Sequence, residues 1–436
     1  MGAGNSSDIC IYYVLSSKIS SKWNRIRMQL GICDYGSKDI ECYLGVMQMN
    51  KLNIILIIFS LSLLFVHVLQ DPNLSSIWDV PLAWVTILIY LVMFLFLLFI
   101  DLFILRIMTM VKQKPLKIYL FAFAVIISIC FVSFISFQPS DEMVLSYYAY
   151  HSFASGINPY TQNYAGKLAP TLIALGSYPT VMLNGSIVGR YSYPALYFLI
   201  QAPFFALLHA NASQIGTKIM PLEYSAYFVL FLAACYMLMK NKRAGLPVYS
   251  AIVLAALSFI TFSSTVIIVM LALCLILFSE FGYRHSWLVL GLMASLQQQL
   301  WILVLIYLAY QSSVLGIKKT LRTLLLICAV FLVINGYWII LNYQAFISSF
   351  LTATMLAPDT IAPIATILLH YGTPSWILLM MFILSTIIVV SVAFSVEKKW
   401  LPLLAAIPYN FLSHALPIYF VLFFTIFALN QDDKNV

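Results

Sequence analysis

Acidic side chains are scarce in this sequence, so the few present limit the chemistry open to it. Beyond the second apolar run they are Asp141, Glu142, Glu223, Glu280, Asp359, Glu397, Asp432 and Asp433. Asp141 and Glu142 stand side by side in "QPSDEMVLSYYAYHSFASGINPY", a polar stretch directly after an apolar one. A carboxylate placed there can take a proton from an attacking hydroxyl. Neighbours on a helix point about 100° apart, so these two cannot face each other as a glycosidase acid pair does. One would act and the other would support it. A purely local reading competes, because acids in the first turn of a helix favour the positive end of its dipole. Glu223, Glu280 and Glu397 fall at the ends of apolar runs, where an acid is expected to meet water, and none sits in the middle of a span. Asp359 follows Pro358 and reads as a turn residue.

Other polar groups recur near the same end of the chain's apolar runs. "GRYSYPALYF" sets Arg190, Tyr191 and Tyr193 at the mouth of a run; the arginine fork suits a phosphate, and equally an interfacial anchor. "SLQQQLW" places Gln297, Gln298 and Gln299 before Trp301 in an otherwise apolar segment. Three amides there are costly without partners, so either the helix breaks or the amides line a polar cavity, and the cavity is the preferred expectation. His67, His151, His209, His285, His370 and His414 are dispersed, with His151 beside the acids expected as a polar tip at the interface. No DxD or HxxxH spacing is present, so no tightly held metal is indicated. Asn184-Gly-Ser and Asn211-Ala-Ser match the N-glycosylation tripeptide, a pattern short enough to arise by chance.

The elements that must position these groups are membrane helices. The chain is 63% hydrophobic and 9% charged, far from soluble proportions. Apolar runs of helix-spanning length recur from Leu52, and their continuity favours helices over the short alternating strands of a barrel. The expected fold is all-α, a polytopic bundle of about 11 to 13 spans. The runs are Leu52–Leu69, Leu82–Leu105, Ile118–Phe137, Pro194–Leu208, Tyr224–Met239, two within Val248–Phe278, Trp287–Tyr310, Leu324–Leu341, Ser375–Phe394 and Leu401–Leu429, the last holding two segments. Arg106, Lys112, Lys114 and Lys117 mark a cytoplasmic side, which delivers the acids to the outer face. A simple in-out count then leaves Lys240, Lys242 and Arg243 outside, so either the segment near Pro194 does not cross or the positive-inside rule fails locally.

Two external loops follow, about 138–192 and 342–372. The first is far longer than an ordinary connection and is expected to be functional and helical at its start. Ser140 is placed to cap a helix from Asp141 that ends at Gly156, Asn158 and Pro159. Met143, Tyr147, Tyr150 and Ala154 share a stripe, with Val144, Tyr148 and His151 beside it. Residues 1–48 are polar, of mixed charge and expected to be weakly ordered; the remainder, 49–436, is the membrane domain. The net charge of +8 is scattered over short loops, which fits topogenesis and not nucleic-acid binding. Cys130, Cys235, Cys274 and Cys328 lie in apolar runs as small hydrophobes, and Cys10, Cys33 and Cys42 have no metal spacing.

Taken in order, a span, the external acids opening a short helix, Gly156-x-Asn158-Pro159-Tyr160, the Tyr191-to-Leu196 "YSYPAL" and the glutamine segment resemble the polytopic GT-C glycosyltransferases. The chain is most similar to prokaryotic members that use polyprenyl-phosphate sugars, over roughly Ile118 to Tyr371. Two departures stand out: no lysine precedes the glutamines, and two spans precede the usual first one. The resemblance implies a multi-pass enzyme of the cell membrane with its site on the extracytoplasmic side. It would move one hexose, mannose by preference, from a polyprenyl- or dolichyl-phosphate sugar to a hydroxyl on a glycan, lipid or protein. Asp141 would be the base and Glu142 its neighbour, while Asn158, Tyr160, Arg190, Tyr191, Tyr193, Gln297, Gln298, Gln299 and Trp301 would bind substrate. No cofactor is required, although a weakly held divalent metal is compatible. The alternative is a transporter or flippase for a glycolipid or small solute, which would call for inverted repeats and an ionisable residue at the midplane.

Overall fold

A computed structural model describes residues 104, 107–108, 111–132, 139–177, 179–182, 184–209, 211–240, 265–352, 363–397 and 400–411. The expected span Leu52–Leu69, Leu82–Leu105 apart from Ile104, most of Leu401–Leu429, Asp359 and the polar residues 1–48 lie outside them.

The described residues are helical, with one isolated antiparallel bridge between Val181 and Ile187. In chain order the helices are α1 (Lys114–Val132), α2 (Asp141–Ala154), α3 (Ala165–Ala174), α4 (Ala195–Leu199), α5 (Ala202–Leu208), α6 (Met220–Lys240), α7 (Val266–Phe278), α8 (Glu280–Arg284), α9 (Ser286–Leu296), α10 (Trp301–Leu315), α11 (Ile317–Leu341), α12 (Tyr343–Thr352), α13 (Pro363–His370), α14 (Ser375–Ala393) and α15 (Leu401–Ala406).

Among the described residues, four helical stretches are long and apolar enough to cross a membrane: Ala212–Met237, Gln298–Leu315, Ile317–Leu341 and Ser375–Ala393. This gives the chain the character of a membrane protein. Exposure points the same way. Leu325, Leu332, Val333 and Ile340 on α11 and Met380, Ile383, Leu384 and Ile387 on α14 are all exposed, more large apolar surface than a water-facing helix carries. At about 1.5 Å per residue, the 25 residues of α11 reach roughly 37 Å, enough for a tilted crossing. The stretch Ala212–Met237 is different, being mostly buried inside the protein.

Two expected spans are broken. Pro194–Leu208 is two short helices, α4 and α5, with a turn at Ile200 and Gln201 between them. Proline at position 203 suits the first turn of α5, where its missing N–H costs nothing. Trp287–Tyr310 divides at Gln297 into α9 and α10. The core is assembled from α6 against α7 and α9 against α11, with α4 wedged against α2, α9 and α11. That wedge carries Tyr197 and follows directly on Tyr191 and Tyr193.

Candidate functional site

Helix α2 begins at Asp141, as the spacing predicts, and both acids lie in its first turn. The capping differs from expectation. Ser140 occupies the cap position in extended backbone, but its hydroxyl makes no cap bond and is buried without a partner. Asp141 takes over part of that work. Its Oδ1 accepts the Glu142 backbone N–H at 2.9 Å, and its Oδ2 accepts the Thr180 N–H at 3.3 Å. The second bond crosses from the helix start to the loop bearing the Val181–Ile187 bridge. Asp141 thus joins two parts of the large loop.

Glu142 reaches in another direction. Its Oε1 accepts the Tyr193 hydroxyl at 2.9 Å and its Oε2 accepts the Tyr197 hydroxyl at 2.6 Å. The two phenol rings stack with centroids 4.5 Å apart and planes 21° from parallel. Positions four apart share a face where the chain enters α4, so one turn presents both hydroxyls to one carboxylate. Phenols donating to a carboxylate are charge-assisted bonds, each of about 1.5–3 kcal/mol. Tyr197 was not singled out from sequence; its offset of four from Tyr193 across Pro194 was the available signal.

The other expected residues divide between the same cluster and its supports. Tyr160 is buried and donates to the Tyr193 carbonyl at 2.9 Å. Asn158 serves that tyrosine: its Oδ1 accepts the Tyr160 N–H at 3.0 Å and caps the single 3₁₀ turn Pro159–Thr161. Tyr191 is fully buried, edge-on to Tyr160 at 5.6 Å and to Tyr193 at 5.7 Å. Burial pushes the Tyr160 and Tyr191 phenols well above their ordinary pKa, so both stay protonated at neutral pH. Arg190, beside them in sequence, is exposed. The approach to it is tight, because Gly189 accepts the Tyr164 N–H at 2.6 Å and a Cβ there would sit 2.2 Å from Asn163 Oδ1.

One of the glutamines, Gln298, meets this cluster. Gln297 is extended, Gln298–Leu300 form one 3₁₀ turn, and α10 starts at Trp301. The helix therefore breaks, which was the less favoured of the two expected outcomes. The break frees backbone groups, and side chains recover some of them: Trp301 Nε1 donates to the Ala294 carbonyl at 2.8 Å, and Tyr409 donates to the Gln299 carbonyl. Gln298 Nε2 donates to the Ser192 carbonyl at 3.1 Å. The side-chain oxygens of Gln297 and Gln298 are buried without a partner. From α11, Asn335 Oδ1 accepts the Ala195 N–H at 2.8 Å. Segment 191–197 is thus gripped by α2 through Glu142, by Tyr160, by Gln298 and by Asn335.

Glu223 requires a correction. It was expected to meet water at the end of a run, yet it is fully buried near the middle of Ala212–Met237. A π-helical turn, Ile215–Ile219, precedes α6 and draws the start of the helical stretch well upstream of Tyr224. Glu223 Oε2 accepts the Thr265 hydroxyl at 2.6 Å, while Oε1 is without a partner. Thr265 also lies 3.4 Å from the sulfur of Met143, the residue after Glu142. Glu397 is exposed. His151 is exposed as well, its ring 4.3 Å from that of Tyr147, and partial burial lowers its pKa. Among the described residues, no three His, Cys, Asp or Glu side chains gather as a metal site would need.

No family model, curated protein or solved structure matches the chain.

Proposed function

We propose that the protein is a multi-pass membrane glycosyltransferase that moves a single hexose, of mannose type, from a polyprenyl-phosphate sugar to a hydroxyl acceptor at the outer face. The observation that carries this reading is the convergence on segment 191–197: Glu142 binds Tyr193 and Tyr197, and Gln298 binds Ser192. The assembly sets a first-turn acid pair beside a layer of tyrosines and a broken helix with buried amide oxygens. Such donors and acceptors suit a polyhydroxyl substrate, and broken helices near binding sites are a recurrent feature of membrane proteins.

The chemistry asks little of the protein. A hydroxyl attacking an anomeric carbon must lose its proton to a base, which Asp141 supplies. The lipid phosphate leaves as an anion and needs positive charge more than an acid, a role open to the exposed Arg190. Glu142, held on both oxygens by phenols, orients the acceptor or, through its backbone N–H, Asp141. Direct displacement inverts the sugar configuration. No cofactor enters.

Replacing Asp141 with Asn tests the assignment. In membranes supplied with polyprenyl-phosphate mannose, transfer should fall by about a hundredfold or more while donor binding persists. Undiminished transfer removes Asp141 as the base.

A second reading has one observation in its favour. An ionisable side chain buried near the middle of an apolar helix, as Glu223 is, is the hallmark of a coupled transporter or flippase.

A further inference from the structure

The loop that Asp141 holds through Thr180 ends in a tight hairpin, and its tip carries a group with reactive geometry. The bridge Val181–Ile187 is closed by the Met182 N–H on the Ser186 carbonyl at 2.7 Å and the Gly185 N–H on the Met182 carbonyl at 2.8 Å. Asn184, Gly185 and Ser186 are all exposed at its tip. Asn184 Oδ1 accepts two hydrogen bonds from Ser186, one from the backbone N–H at 3.0 Å and one from the hydroxyl at 2.7 Å.

Both bonds fall on the amide oxygen. They withdraw electron density from the amide, make the Nδ2 hydrogens more acidic, and leave Nδ2 as the group turned to an incoming electrophile. Asparagine, any residue but proline, then serine is also the tripeptide that glycan transfer to asparagine requires. Asn211-Ala-Ser has the same letters in a different setting. Its serine lies inside the 3₁₀ turn Ala212–Gln214, the Asn211 N–H is held by Gln214 Oε1 at 3.3 Å, and among the described residues no hydroxyl bond from Ser213 reaches the Asn211 amide.

We infer that Asn184 is a glycan acceptor, modified by a separate asparagine-directed transferase that uses a glycan carried on a lipid phosphate. In that step Asn184 Nδ2 bonds to the anomeric carbon of the glycan. The bond from that carbon to the phosphate oxygen breaks, the lipid phosphate leaves with the electron pair, and the amide proton passes to a carboxylate of the transferase. The modification is independent of the chain's own activity. It requires only that the hairpin, and with it the start of α2, faces away from the cytoplasm.

The test is translation of the full chain into endoplasmic-reticulum microsomes, followed by endoglycosidase digestion and gel mobility. Relative to wild type, N184Q and S186A should each lose one glycan-sized increment that digestion removes from wild type. S186T should keep it, and N211Q should match wild type. The same comparison accounts for Asn5-Ser-Ser and Asn73-Leu-Ser, which lie outside the described residues, because those remain in every variant. An N184Q chain with the mobility of wild type before digestion overturns the assignment, and an increment lost only in N211Q overturns it equally. Because every substituted side chain is exposed, mobility reads modification and not folding.

Discussion

At the scale of single residues, the two adjacent acids divide their work by direction. Asp141 bonds to backbone, Glu142 to phenols, so their variants should differ in kind. Tyr197→Phe removes the shorter of the two bonds to Glu142 and should cost about 1–3 kcal/mol of stability, read as a lowered midpoint in detergent thermal unfolding. Tyr193→Phe should cost a similar amount, and the double variant should depart from the sum because both bonds fall on one carboxylate. Tyr164 offers a pH signature. Its hydroxyl donates to Ser152 at 2.9 Å, and burial raises its pKa to about 12. The folded state keeps that proton where the unfolded state releases it, so Tyr164 contributes stability below about pH 10 that is lost as pH climbs towards 12. Tyr164→Phe should therefore lower stability at pH 8 and flatten its decline between pH 10 and 12, in chemical denaturation of the detergent-solubilised chain. A parallel decline in variant and wild type would remove the tyrosine from the alkaline transition. The acids themselves were legible from sequence because charge is so rare in this chain. Tyr197 was not, since nothing in a run of apolar and aromatic letters says which phenol turns back to meet a carboxylate.

The helices depend on close contacts that their own patterns hide. Helix α9 meets α11 at Gly291, where an added Cβ would stand 2.7 Å from Val330 Cβ. Gly336, on α11, has open room, with Leu332 Cβ at 3.9 Å as the nearest atom. Gly291→Ala should destabilise by about 1–3 kcal/mol through overpacking. Gly336→Ala should be neutral or stabilising by up to about 1 kcal/mol, because alanine is the better helix former. The pair is measured in one unfolding series, and equal effects would refute the close approach. Long helices such as α11 and α14 were readable because an uninterrupted apolar run has only one satisfactory backbone in hydrocarbon. The breaks at Gln201 and Gln297 were harder to place. Both depend on partners far away in sequence: Asn335 takes up the Ala195 N–H, Tyr227 donates to the Ile200 carbonyl at 3.1 Å, and Tyr409 bonds to Gln299. A single-sequence reading sees the glutamines but not what compensates them.

For the molecule as a whole, the question is which side of the membrane each part meets and what crosses it. Ala195–Leu208 is 14 residues in two pieces, about 21 Å even if straight, against roughly 30 Å of hydrocarbon. Under the proposed topology, a segment too short to cross would remove the conflict in the in-out count over Lys240, Lys242 and Arg243 and keep the acid loop on the outer face. The apolar letters could not show this, since a re-entrant pair and a span share a composition. Glu223 was misread for a related reason: the π turn before α6 moved the acid from the end of a run to the interior of a helix. It now bears on the choice between the two functional readings. Glu223→Gln keeps an oxygen for the Thr265 hydroxyl and nearly the same volume, so the fold should persist within about 1 kcal/mol. Glu223→Lys puts an unpaired cation in the same place and should lower expression of folded chain sharply. With folding held constant, the Gln variant separates the mechanisms. A transferase working through Asp141 does not need Glu223 to exchange a proton, and sugar transfer should stay within about threefold of wild type, less than a third of the tenfold that 1.4 kcal/mol would bring. A coupled transporter does need it. Loss of proton-driven uptake into vesicles by a well-folded Glu223→Gln chain, with no sugar transfer by wild type, would turn the choice towards transport.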